Sequence, residues 1–336
     1  MQTPLSWLAG RYSLDTRAVR LAALVSVVAS IAITVTGGIV RVTGSGLGCT
    51  DWPMCTGETL APTAEMGLHG AIEFGNRLLT GALCAVVGWV IITARLQKEP
   101  APSVLRGAWA QFWIVVLNAI VGGVTVWMRL SPYIVAAHFL AATLLLTAAV
   151  YTWHAACADA GGEGNVGGEG DAPTPDGPRL PARCRSLSVA LVAVTAVLVV
   201  VGTLATGTGP HAGDSSDVER MPFNWTAVTV VHGVLAATVL VLACCLLAAL
   251  PREGFGDARA KTVLFLAVLL AQGAVGLVQS LTGLPSLAVV LHLLGSALVW
   301  IGVLQVHLTL KRADPGFPRP LAAAAPHGAR SEAAHT

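Results

Sequence analysis

Long apolar runs alternate with short polar breaks along nearly the whole chain. Eight of these runs reach the roughly 20 residues that a helix needs to cross a bilayer core. They cover 21–42, 66–94, 105–128, 132–157, 186–205, 223–250, 261–282 and 285–310. The breaks at 129–131 and 283–284 are so short that each must join antiparallel neighbours in a hairpin. The pattern predicts an all-α integral membrane protein with eight transmembrane helices. Residues 1–20 are polar and basic, and the run after Arg20 is long enough to span rather than to be cleaved as a leader.

Composition agrees with this reading. Of 336 residues, 54% are hydrophobic and 11% charged, against about a quarter charged in soluble domains. The net charge of +2 carries no signal for nucleic acid, because the basic residues are interspersed with apolar spans. Their distribution does set an orientation. With the N-terminus inside, all 20 Lys and Arg except Arg41, Arg77, Arg129 and Arg220 fall on the cytoplasmic side. Both termini are therefore expected in the cytoplasm of a multi-pass cell-membrane protein.

Residues 158–182, rich in Gly, Glu, Asp and Pro, cannot bury a core and read as a flexible cytoplasmic linker. The expected organisation is a cytoplasmic N-terminus (1–20), a four-span unit (21–157), this linker, a second four-span unit (183–311) and a disordered cytoplasmic tail (312–336). The two units resemble each other. Thr43-Gly44-Ser45-Gly46 after the first span matches Thr206-Gly207-Thr208-Gly209 after the fifth. Val121-Gly122-Gly123-Val124 in the third answers Val275-Gly276-Leu277-Val278 in the seventh, and His138 and His292 follow those blocks at the same separation. With an even number of spans in each unit, the repeat is parallel.

His138, His232 and His292 lie six to nine residues inside the fourth, sixth and eighth spans, about 9–14 Å below the surface. His69 opens the second span. Ionisable side chains at membrane depth are costly and are kept mostly for function, and imidazoles across a helical bundle are a common way to hold heme iron. A single such histidine is as often a satisfied packing residue; three at matched depth in a repeated frame are harder to treat so. His154 and His307 sit at the cytoplasmic span ends, and His211, His327 and His335 in loops or the tail. All five are read as structural. His138 and His154, sixteen residues apart, point to nearly opposite faces of one helix.

Glu73 is the one carboxylate placed inside a span. His69, Glu73 and Asn76 share a helix face, with Arg77 beside it. An ion pair of Glu73 with Arg77 would serve structure alone; a proton acceptor or a stabiliser of positive charge beside a substrate would serve chemistry. Cys49 and Cys55, close together in the first outer loop, can close a small disulfide on the oxidising face.

These residues resemble the heme A synthase family, which converts heme O to heme A for cytochrome oxidase. The likeness rests on Gly38-Ile-Val-Arg-Val-Thr-Gly-Ser-Gly-Leu-Gly-Cys-Thr-Asp-Trp-Pro-Met-Cys55, on Ile72-Glu-Phe-Gly-Asn-Arg-Leu-Leu-Thr80, on the three deep histidines and on Thr206-Gly-Thr-Gly-Pro-His-Ala-Gly-Asp214. It implies two repeated four-helix bundles. The C-terminal one would hold a heme b cofactor between His232 and His292; the N-terminal one would hold the substrate porphyrin with His138 as axial ligand and Glu73 near the reacting methyl. Successive hydroxylations would carry that methyl to a formyl group, with heme O synthase and cytochrome oxidase assembly as partners and a quinone or another acceptor taking electrons. A disulfide is expected in the first loop only, since 206–222 has no cysteine pair.

The chain departs from the family pattern at Asn76, where many members have a histidine. Depth makes Asn76 the counterpart of His232. Loop length makes it His69, because Gly46 to His69 equals Gly209 to His232. A b-type cytochrome exchanging electrons with quinol, or a heme transporter with parallel repeats, would also use deep histidines.

Overall fold

The computed structural model describes residues 10–163, 179–211, 213–214 and 218–314. Most of the expected linker, the tail beyond Asp314, and His327 and His335 lie outside the described residues. Eight helices are long and apolar enough to cross a membrane. They are α1 (Thr16–Val42), α2 (Gly67–Arg95), α3 (Pro102–Trp127), α4 (Pro132–Glu163), α5 (Ala182–Thr208), α6 (Trp225–Ala249), α7 (Gly256–Leu281) and α8 (Ser286–Ala313). The chain is an all-helical, multi-pass membrane protein.

Helix ends follow local chemistry rather than the apolar runs. The Asp15 carboxylate caps α1 by accepting from the Arg17 N–H, so this helix starts five residues before the run at 21. The Asn224 side chain caps α6 through the Ala227 N–H at 2.9 Å, and prolines open α3 and α4 where a missing N–H costs nothing. Helix α7 starts at Gly256, five residues before the run at 261, and Asp257 in its first turn pairs with Lys261 at 3.0 Å. Helix α4 continues to Glu163, through six residues that composition assigned to the linker.

The two hairpins are built alike. Arg129 and Leu130 turn with positive φ after α3, as Gly283 and Leu284 do after α7. The Leu130 N–H reaches the Thr125 carbonyl, and the Leu284 N–H the Gln279 carbonyl, at matching positions. The blocks after α1 and α5 match less well. Thr43 to Gly46 form a turn in which Gly44 has φ 65°, whereas Thr206 to Thr208 still belong to α5. Met221 folds back onto Gly207 there, leaving no room for a side chain.

In the first half α1 packs on α2 and α4, and α3 closes the ring between them; in the second half α5, α6, α7 and α8 pack in the same order. The halves meet through α1, α4, α5 and α8. Trp300 on α8 donates its indole N–H to Thr147 on α4 at 2.8 Å across this seam. Inside the first ring Gln111 bonds both Ser26 and Thr152, joining α3 to α1 and α4. Outward faces carry exposed apolar residues such as Trp113, Leu264 and Leu298, as lipid contact requires.

Candidate functional site

One end of the molecule is organised by the two long loops. The Ser45 and Asp214 backbones form an antiparallel bridge, and the Gly46 N–H donates to the Gly213 carbonyl at 2.7 Å. Arg41, at the end of α1, donates to the His211 carbonyl (2.9 Å) and the Thr206 carbonyl (3.0 Å). His211 in turn uses Nε2 to reach the Leu284 carbonyl at 2.8 Å. The first half is thus stitched to the second by backbone acceptors.

Cys49 and Cys55 are joined in a disulfide. The loop they close lies on the start of α2, where a side chain at Gly48 would strike the His69 backbone. Glu73 is buried, and both of its oxygens are engaged. Oε2 accepts the Cys49 N–H at 2.6 Å; Oε1 pairs with Arg77 at 2.5 Å, one turn along the helix. The other guanidinium nitrogen of Arg77 donates to the Asp51 and Met54 carbonyls, each at 2.9 Å. The acidic motif therefore anchors the disulfide loop, a link the sequence reading did not include. Beyond the disulfide, Trp52 rests on Gly123 of α3 and meets Trp127 edge-on with centroids 5.8 Å apart. The only sequence signal for this seat is the second glycine at Gly122-Gly123, where the other half has Leu277.

His69 and Asn76 are treated differently by their surroundings. His69 Nδ1 is 2.9 Å from the Ser45 hydroxyl, which leaves Nε2 as the ring's other nitrogen. The Asn76 side-chain oxygen accepts from Thr36 on α1 at 2.8 Å, which turns it toward that helix.

The deep histidines lie on α4, α6 and α8, half-buried in the bundle interiors. His232 and His292 face each other from α6 and α8, with ring centroids 6.3 Å apart and planes 59° apart. Two metal–nitrogen bonds of about 2 Å, extended to the ring centres, separate the centroids of a liganding pair by about 6 Å. The pair fits an iron held between two imidazoles. Among the described residues no three His, Cys, Asp or Glu side chains cluster as a bare metal ion would need. Two facing imidazoles instead suit a metal whose other ligands come from a porphyrin. His154 and His307 stay at the opposite end, where His307 Nδ1 bonds the Ser188 hydroxyl at 2.9 Å.

A heme A synthase of Rhizorhabdus wittichii is 28% identical over 331 aligned residues, covering 81% of this chain and 89% of that protein. Shorter matches are found to the heme A synthases of Alkalihalophilus pseudofirmus (31% identical, 36% of this chain and 44% of that one) and Exiguobacterium sibiricum (33% identical, 31% and 34%). Residues 20–304, spanning all eight helices, match the cytochrome oxidase assembly protein family, and the chain belongs to that family.

Proposed function

We propose that this protein is a heme A synthase, an oxidoreductase that takes a methyl group of heme O to the formyl group of heme A. The observation that carries the proposal is the facing pair His232 and His292 at 6.3 Å, in a chain whose full-length relative bears that name. The neighbouring readings, a quinol-linked b-type cytochrome and a heme transporter, gain no support from the relatives' names.

In this reading the α5–α8 ring holds heme b between His232 and His292. When bound, that group supplies one-electron redox chemistry that passes electrons onward to a quinone or another acceptor. The α1–α4 ring holds heme O as substrate, with His138 on its iron and His69 supplying the second imidazole. Asn76 is bound to Thr36 and takes no part in ligation.

Glu73 acts beside the reacting methyl. With one oxygen on the Cys49 N–H and the other on Arg77, it is built as a fixed negative charge more than as a free proton carrier. A carboxylate held in this way stabilises positive charge developing on the substrate as each hydroxylation proceeds. The disulfide loop above it, wedged by Trp52, keeps water from the substrate's outer edge. The distribution of basic residues supports an orientation with this end outside and both termini in the cytoplasm.

Membranes containing this chain together with a heme O synthase are expected to yield extractable heme A. Accumulation of heme O alone, beside an intact heme b spectrum, would overturn the proposal.

A further inference from the structure

Each deep histidine packs against a glycine of the preceding helix. His138 on α4 lies on Gly122 of α3, His232 on α6 on Gly202 of α5, and His292 on α8 on Gly276 of α7. A methyl group added at those glycines would stand 3.2, 3.2 and 3.1 Å from the ring carbon Cε1. Those separations are too tight for the ring to keep its place. Nδ1 is the next ring atom in every case, at 3.7, 3.6 and 3.5 Å, and at His138 Nε2 follows at 3.9 Å. All three rings therefore turn Cε1 to their glycine, and those of His232 and His292 add the Nδ1 edge. The Nδ1 atoms are buried there without a close hydrogen bond among the described residues.

We propose that Gly202 and Gly276 are positioning residues that decide which imidazole nitrogen is offered to heme iron, and that Gly122 sets how closely the His138 ring seats on its neighbouring helix. The inference rests on the liganding roles proposed above for the three histidines. At Gly202 and Gly276 the missing side chain lets the ring settle onto the neighbouring helix with Cε1 and Nδ1 toward it, so that Nε2 is the nitrogen farther from the glycine. The ring is thereby held in one orientation, with Nδ1 against the neighbouring helix. Outer-shell contacts of this kind fix tautomer and orientation in metal-bound histidines.

The fourth histidine supports the same rule by a different route. His69 has no glycine seat, and there the Ser45 hydroxyl occupies Nδ1 at 2.9 Å. A glycine kept only for close helix packing would not be expected to meet the same ring atom, Cε1, three times on three helix pairs. Gly273, one turn before Gly276 on α7, and Gly233, next to His232, have nothing near the position of an added side chain. They are the natural controls.

The test uses full-length protein purified with its heme. Gly276→Ala, Gly276→Val, Gly202→Ala and the controls Gly273→Ala and Gly273→Val are compared for heme-to-protein ratio, heme midpoint potential and the low-spin ferric signal in electron paramagnetic resonance. Gly276→Val is expected to hold heme about tenfold more weakly. Both alanine variants are expected to keep heme with a shifted signal and potential, and the Gly273 variants to match the parent. Should Gly276→Val fail to fold, the alanine variants decide through signal and potential. Parent-like signals in Gly276→Ala and Gly202→Ala, or equal changes in the Gly273 controls, would overturn the proposal. His292→Ala separates it from the underlying reading. Heme b retained unchanged in that variant sinks the ligand assignment; heme b lost there while the glycine variants stay parent-like sinks the positioning role alone.

Discussion

The backbone N–H of Cys49 donates to the buried carboxylate of Glu73 at 2.6 Å, so the acidic residue of α2 and the disulfide loop form one unit. Arg77 completes it, bonding Glu73 on one side and the Asp51 and Met54 carbonyls on the other. Whatever moves the loop moves the partner of the carboxylate.

Glu73→Gln keeps an acceptor for the Cys49 N–H but leaves Arg77 without its counter-charge. Breaking a buried pair in this way costs about 3 kcal/mol. Heme A formation is expected to disappear, because a neutral amide cannot stabilise positive charge on the substrate, while the heme b spectrum remains. Pigment extraction and a reduced-minus-oxidised spectrum measure both. Retained heme A formation in this variant would remove Glu73 from the chemistry and leave it as a loop anchor.

The seat of Trp52 offers a second test, because the other half of the chain shows what replaces it. Gly123→Leu copies Leu277 and puts a side chain where the indole lies. The displaced loop should expose its disulfide. Reduction of Cys49–Cys55, followed by thiol alkylation, is expected to proceed at least about tenfold faster, as opening of a protected segment becomes easier. An unchanged rate would show that Trp52 does not hold the loop closed.

Much of the architecture was legible in the chain because bilayer crossing imposes a length and a polarity that hydropathy reads directly. All eight spans were found this way. The limits of the helices were not, because Asp15 and Asp257 act through capping and charge before the apolar runs begin, and Asn224 caps its helix from within the run at 223–250. The candidate site was half legible. His138, His232, His292, Glu73 and the disulfide stood out as costly or paired residue types. The glycines beneath the histidines did not, since a glycine in a membrane helix is common and its meaning depends on what the next helix lays on it. The signal was nevertheless present: Gly122 precedes His138 by the same interval that separates Gly276 from His292. Arg41 was counted as an outside charge, and its bonds to the His211 and Thr206 carbonyls needed the second loop in place.

Those bonds yield a stability prediction. Arg41→Ala removes two charge-assisted hydrogen bonds that connect the halves at the loop end. The loss is expected to be about 2 kcal/mol, read as a lower thermal midpoint in detergent. Arg41→Lys should recover only part of it, because an ammonium cannot match the fork of a guanidinium. A midpoint equal to the parent's in Arg41→Ala would mean that the loops hold together without it.

The fourth imidazole is the most exposed part of the functional reading, since His69 stands at the very start of α2 and Asn76 occupies the deeper position. Two local contacts argue for His69. Its Nδ1 is already matched with Ser45, the pattern expected of a ring that offers Nε2, whereas the Asn76 oxygen is spent on Thr36. His69→Ala is therefore expected to lower heme A formation by at least about tenfold, the usual scale for disturbing a metal's ligand shell, without touching the heme b spectrum. Asn76→Ala removes one hydrogen bond between α1 and α2, worth about 1 kcal/mol, and should leave heme A formation within about threefold of the parent. The reverse outcome, activity lost with Asn76 and kept without His69, would return the substrate ligand to the deeper position and leave His138 as the sole imidazole on that iron.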